Sequence, residues 1–147
     1  MRYRVGDRLP APVIPVVDRM RIAYMAVSMR DPNPVHIEDE YAARCGLPGV
    51  IAHGTFVTSY LGLTVSRAVG VDAVRRLRVD LTAPVVPGDT LSTEAVVVAV
   101  DPAGEGEEPG AELVTVELTA TRADGATVGR GTATFVQWHA GGEDARR

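Results

Sequence analysis

The sequence predicts an α+β domain in which a curled antiparallel sheet wraps around one central apolar helix. Three observations carry that prediction: a helical stretch apolar around most of its circumference, four later segments with strand character, and a length of 147 residues that leaves room for one core. Apolar residues make up 46% and charged residues 23% of the chain, values of an ordinary folded protein rather than a disordered, collagen-like or coiled-coil one. The domain is expected over residues 1 to 140, with residues 141 to 147 a frayed tail that has nothing to pack.

The helix is read over Gly54 to Ala68. There Phe56, Val57, Tyr60, Leu61, Leu63, Val65 and Ala68 leave little polar face, so the helix should be largely buried. Residues 18 to 68 otherwise mix helical patterns with a proline-rich loop. Further on, Leu77, Val79 and Leu81 alternate with Arg76, Arg78 and Asp80, the period of a strand with one buried face. After the turn Pro87-Gly88-Asp89, the β-branched run Leu91 to Val100 fits a longer and more buried strand. Asp101 to Glu112 holds five carboxylates and almost nothing apolar, which reads as an exposed, mobile connection. Val114, Val116, Leu118 and Ala120 alternate with polar residues up to the hairpin signal Asp124-Gly125, and a last strand runs from Thr127 to Trp138. A further strand is expected near Val13 to Val17. Sheet edges left bare in this arrangement favour pairing with a second subunit, so a dimer is expected.

All fifteen basic residues are Arg, set against nineteen Asp and Glu, giving a net charge of -4 and no general sign of nucleic-acid binding. The longest aliphatic run, Ala95 to Val100, is six residues, against the ~20 a membrane helix needs. Met1 to Asp7 meets charge before any apolar stretch of signal-peptide length develops, so a cytoplasmic protein is expected. The lone Cys45 can form no internal disulfide and is read as a small buried hydrophobe.

The chemistry is concentrated in Asp31-Pro32-Asn33-Pro34-Val35-His36. Each proline drives the residue before it away from helical angles, so the run is a stiff loop carrying a carboxylate, an amide and an imidazole. Such a loop can hold several polar groups at one point with little entropy left to lose; equally, Asp31 and Asn33 can be turn formers and His36 a surface residue. Seventeen residues after His36 comes His53-Gly54-Thr55, at the start of the apolar helix. The first amides of a helix lack internal partners, so Gly54 offers an N–H to a developing oxyanion; it can also be a glycine required by close packing. His53 is read as a hydrogen-bonding, orienting residue, and His139 as incidental. Asp31, His36 and His53 match no strong zinc spacing, so no metal site is expected.

The run from Asp31 to His36, then after five further residues Ala42, and Ile51-Ala52-His53-Gly54 resemble the MaoC-like, (R)-specific enoyl-thioester hydratase and dehydratase family of the hot-dog fold. Val5-Gly6-Asp7 and the stretch from Arg78 to Thr90 extend the resemblance over nearly the whole chain. It implies syn addition of water to a trans-2-enoyl thioester of coenzyme A or acyl carrier protein, giving an (R)-3-hydroxyacyl thioester. It further implies Asp31 and His36 as the catalytic pair, Gly54 as the oxyanion-binding glycine, Asn33 as a loop-arranging residue, and no metal or redox cofactor. Which of Asp31 and His36 takes the proton stays open at this level.

One position departs from the family, whose usual Ser-Gly before the Asp is here Met29-Arg30. Arg30 can pair with Asp31 or point outward, with solvent exposure the favoured reading. Gly62 can make room for an acyl chain or for packing. Two other functions are weighed: a partner subunit of a heteromeric hot-dog dehydratase with little activity alone, and a hot-dog acyl thioesterase. Against the second, Gly54 to Ala68 holds no carboxylate that could serve on the central helix. The retained Asp31 and His36 favour the competent subunit of any pair, homodimeric or heterodimeric.

Overall fold

Asp18 starts the first helix, α1 (Arg19–Met29), in the computed structural model of the protein, which describes residues 2–138. Its side chain accepts the Arg21 N–H at 2.7 Å, satisfying one of the amides that a first turn leaves free. The short α2 (Asp39–Arg44) and the long α3 (Gly54–Val69) follow. Four antiparallel strands complete the order: β1 (Val74–Leu81), β2 (Leu91–Pro102), β3 (Ala111–Arg122) and β4 (Thr127–Trp138). They lie in one sheet in the order β1-β4-β3-β2.

Helix α3 packs against all four strands. Its Phe56, Val57, Leu61 and Val65 meet the inward residues Val97, Val116, Leu118, Val128 and Phe135 in one buried cluster. Inside it, the Thr64 and Thr93 hydroxyls lie 2.9 Å apart, and Thr64 also donates to the Tyr60 carbonyl at 2.8 Å. The hairpin signal is realised as a turn between β3 and β4, with Gly125 at φ 87°, the left-handed region that glycine enters without a Cβ clash.

Against β1 the helix runs antiparallel. A Cβ built on Gly54 would lie 2.2 Å from Leu81 Cδ1, and one on Gly62 would lie 3.3 Å from Leu77 Cδ2. Eight helical residues rise about 12 Å and four strand residues about 13 Å, so the two glycines and the two leucines keep step. Gly62 therefore serves helix-to-sheet packing.

Several expectations are corrected. No strand forms at Val13 to Val17; instead the chain reaches the β2 edge earlier, where Gly6 and Leu9 donate to Val97 and Ala95 and Val97 donates to Asp7. Pro10, Pro12 and Pro15 then remove the donors a ladder would need. Cys45 is exposed, because it closes α2 at the surface rather than joining the core. The inward face of β1 is less buried than its alternation suggests: Leu77 and Leu81 are 37% and 51% exposed, since β1 ends the sheet and no strand lies beyond it. The acidic connection shrinks to residues 103–110, because β2 and β3 stay paired out to Pro102 and Glu112. It is tethered by Arg75, whose guanidinium donates through Nε and Nη2 to the two oxygens of the Glu107 carboxylate. Residues 141 to 147 and His139 lie outside the described residues.

Candidate active site

The end of α1 aims the proline-rich loop. Arg30 adopts φ 52° and ψ 39°, the left-handed conformation that usually belongs to glycine at a helix end. Its N–H donates to Val27 at 3.2 Å and the next N–H, of Asp31, donates back to Ala26 at 3.0 Å. This pair of bonds reverses the chain and fixes where Asp31 leaves the helix. Arg30 is exposed and makes no ion pair with Asp31 among the described residues.

Asn33 arranges the next step. Its side-chain oxygen accepts the Val35 N–H at 3.2 Å and its carbonyl accepts the His36 N–H at 2.9 Å, forming a 3-10 turn over Pro34–His36. The Asn33 N–H in turn donates to Asp31 Oδ1 at 3.4 Å. The loop is joined to the approach to α3 by Ile51, whose N–H donates to the Val35 carbonyl at 3.1 Å and whose own carbonyl accepts from His36 Nδ1 at 2.8 Å. A carbonyl can only accept, so Nδ1 carries hydrogen and the neutral imidazole keeps its lone pair on Nε2. That nitrogen faces Asp31 Oδ2 across 4.0 Å, too long for a direct hydrogen bond and the span of a single shared hydroxyl or water.

His53 locks the arrangement from beneath. It is 3% exposed, its Nε2–H donates to the Asp31 carbonyl at 3.1 Å, and its ring stacks on His36 with centroids 3.6 Å apart. Immediately after it, Gly54 opens α3; the Phe56 N–H turns back to the His53 carbonyl at 2.9 Å, and the amides ahead of it have no intrahelical acceptors. Residues 17 to 23 positions apart are thus brought together: Asp31, Asn33 and His36 share one corner of the molecule with His53 and Gly54.

Asp31, His36 and His53 present donor atoms within 4.8 Å of one another. The two imidazole planes, however, stack 23° from parallel, and ring lone pairs lie in those planes. They run side by side and do not converge on one ion, and each ring's other nitrogen is committed to a carbonyl. The donor set does not suit a metal.

Beside Gly54 a cleft of about 290 Å³ opens between the start of α3 and the end of β1. Its walls include Ile51, Val57, Leu81, Ala83 and Val85. Sequence reasoning did not single out Leu81; the available signal was its place as the last inward residue of a strand that stops at Thr82-Ala83-Pro84.

Comparison with known proteins agrees with this architecture. Residues 5–121 match the profile of a family described as "MaoC like domain". A "UPF0336 protein" from Clavibacter michiganensis is 30% identical over 140 residues, covering 89% of this chain and 91% of that one. An (R)-hydratase from A. caviae involved in PHA biosynthesis shares the fold at TM-score 0.74 and 22% identity, over 93% of this chain and 98% of that one. The HadBC (3R-hydroxyacyl-ACP dehydratase) complex from Mycobacterium tuberculosis is similar at TM-score 0.69 and 26% identity, over 90% of this chain and 96% of that chain. Among the described residues no helix is long and apolar enough to cross a membrane.

Proposed function

This chain belongs to the MaoC-like domain family, and from that premise we propose that it is a hydro-lyase interconverting trans-2-enoyl and (R)-3-hydroxyacyl thioesters of coenzyme A or acyl carrier protein. The observation that carries the reading is the 4.0 Å gap between Asp31 Oδ2 and His36 Nε2, held beside the open amide end of α3.

In the hydration direction, both groups accept hydrogen bonds from one water. His36 Nε2, the ring nitrogen left with a lone pair, takes a proton as the water oxygen bonds to the β-carbon. The π electrons of the alkene move toward the thioester oxygen, where the Gly54 N–H stabilises the enolate-like charge; such a donor is typically worth ~3 kcal/mol of transition-state stabilisation. Collapse of the enolate takes the proton from His36 to the α-carbon on the face the hydroxyl joined, which is syn addition. Asp31 orients the water and balances the imidazolium. Asn33 and His53 position the pair.

A second reading is favoured by the HadBC likeness, a complex of two different subunits: this chain is the competent half of a heterodimer rather than a homodimer. In either form the bare edge of β1 is the surface we assign to the partner. The protein works in the cytoplasm, where such thioesters are made and used.

The test is loss of enoyl absorbance when the purified protein meets short, long, branched and cyclic trans-2-enoyl thioesters, with the product's configuration determined. Formation of (R)-3-hydroxyacyl product supports the reading. No turnover of any of them, alone or with a co-expressed hot-dog partner, overturns it.

A further inference from the structure

We infer that Leu81 sets the size of acyl group this protein accepts, an inference that rests on the hydratase reading and adds the chemistry of the acyl part. Leu81 Cδ1 sits where a side chain on Gly54 would begin, 2.2 Å from the ideal Cβ position. Its isobutyl group is therefore laid against the bare backbone of the residue whose N–H meets the thioester oxygen. Gly54 and Leu81 both line the cleft, so an acyl group that enters it from that thioester comes against Leu81.

The position of Leu81 suits that role. It stands at the end of the edge strand β1 and is 51% exposed, an apolar side chain covered on one flank by α3 and open on the other. Covering it with an apolar group is favourable. The cleft it borders is walled mostly by aliphatic side chains, and the Thr82 hydroxyl in its wall donates to the Thr127 carbonyl. Its single ionisable wall residue, His53, spends its N–H on the Asp31 carbonyl. A carboxylate would lose hydration there and meet no Lys or Arg among the lining residues, so the cleft selects an uncharged acyl group. At about 290 Å³ it falls just short of the ~300–1,000 Å³ range of small-molecule pockets, which favours a short chain.

The experiment compares kcat/KM for four-, six- and ten-carbon trans-2-enoyl-CoA thioesters in the wild type, Leu81→Ala and Leu81→Phe, with Leu81→Val as a milder change should either variant fold poorly. The wild type is expected to prefer the shorter chains. Leu81→Ala, or Leu81→Val in smaller measure, should raise the ten-to-four-carbon ratio about tenfold, and Leu81→Phe should lower it. Ratios that stay constant in every folded variant, or a wild type that prefers the longest chain, overturn the inference and leave the hydratase reading standing. A wild type that hydrates none of the three, or any other enoyl thioester, overturns both.

Discussion

The His36 imidazole lies flat on that of His53, with ring centroids 3.6 Å apart and planes 23° from parallel. Each ring fixes the other's tilt, while the Ile51 and Asp31 carbonyls fix their rotation. Only one of the two, His36, turns its free nitrogen toward the Asp31 carboxylate.

That division of labour separates two variants. His36→Ala should lower kcat by ~10²–10⁴, the usual worth of a general base, and Asp31→Asn should fall in the same range. His53→Ala removes no reacting group but frees the His36 ring and the Asp31 backbone, so kcat should drop ~10²-fold, the scale of a misplaced catalytic group, with KM little changed. Its pH–rate profile should keep the wild-type shape because the same base acts. An unchanged kcat in His53→Ala would show that the stack is ornamental.

Arg30 occupies a left-handed position at the end of α1. Such a conformation costs a residue with a side chain about 1–2 kcal/mol, whereas a cation at a helix C-terminus returns ~0.3–1 kcal/mol. Arg30→Gly should therefore stabilise the fold slightly, by about 0.5 kcal/mol, while Arg30→Ala, which keeps the strain and loses the charge, should destabilise it. Urea midpoints at neutral pH decide the order Gly above Arg above Ala.

Asp39 supplies a pH dependence. Its carboxylate accepts the Val50 N–H at 2.9 Å and the Arg19 guanidinium at 2.6 Å, and these bonds, the backbone one first, hold its pKa below the usual carboxylate range. A pKa lowered by folding means the contribution is present above the unfolded value near ~3.9 and disappears as pH falls through the folded value. Asp39→Asn should be less stable than wild type at pH 7, and the gap should close as the pH falls from the unfolded value through the lowered folded one. A gap that persists unchanged in acid would assign the effect to packing.

Two glycines test which neighbours can yield. A Cβ at Gly131 would meet the Arg78 carbonyl oxygen at 1.9 Å, inside the β1–β4 ladder. Backbone held by its own hydrogen bonds cannot move aside, so Gly131→Ala should destabilise by about 3 kcal/mol, the upper end of overpacking effects. Gly54→Ala instead meets the free end of half-exposed Leu81 and should cost about 1 kcal/mol, largely recovered in the Gly54→Ala, Leu81→Ala double variant. Equal losses at the two sites would reject the distinction.

Much of this was legible before any coordinates. Strand β4 falls on the residues read as the last strand, Thr127 to Trp138, and α3 ends one residue beyond the helix read from Gly54 to Ala68. Both signals are local: period two with β-branched residues in one, an apolar circumference in the other. The stiff loop was legible for the same reason, since Pro32 and Pro34 restrict their own neighbours whatever surrounds them.

What the chain settled by itself, then, were features governed by residues a few positions apart: the helical type of α3, the strand type of the four later segments, and the stiffness of the proline-rich loop. Folding decided the rest. The alternation of Leu77, Val79 and Leu81 names a face but says nothing of whether a strand lies beyond it, so exposure of that edge, and the cleft it borders, came from sheet order. The prolines after Leu9 ended pairing that the apolar pattern of Val13 to Val17 suggested, and Cys45 reached the surface because α2 ends there. The meeting of His36 with His53 depends on the reciprocal bonds of Ile51 with Val35 and His36, contacts between distant parts of the chain that only a completed fold can bring into register.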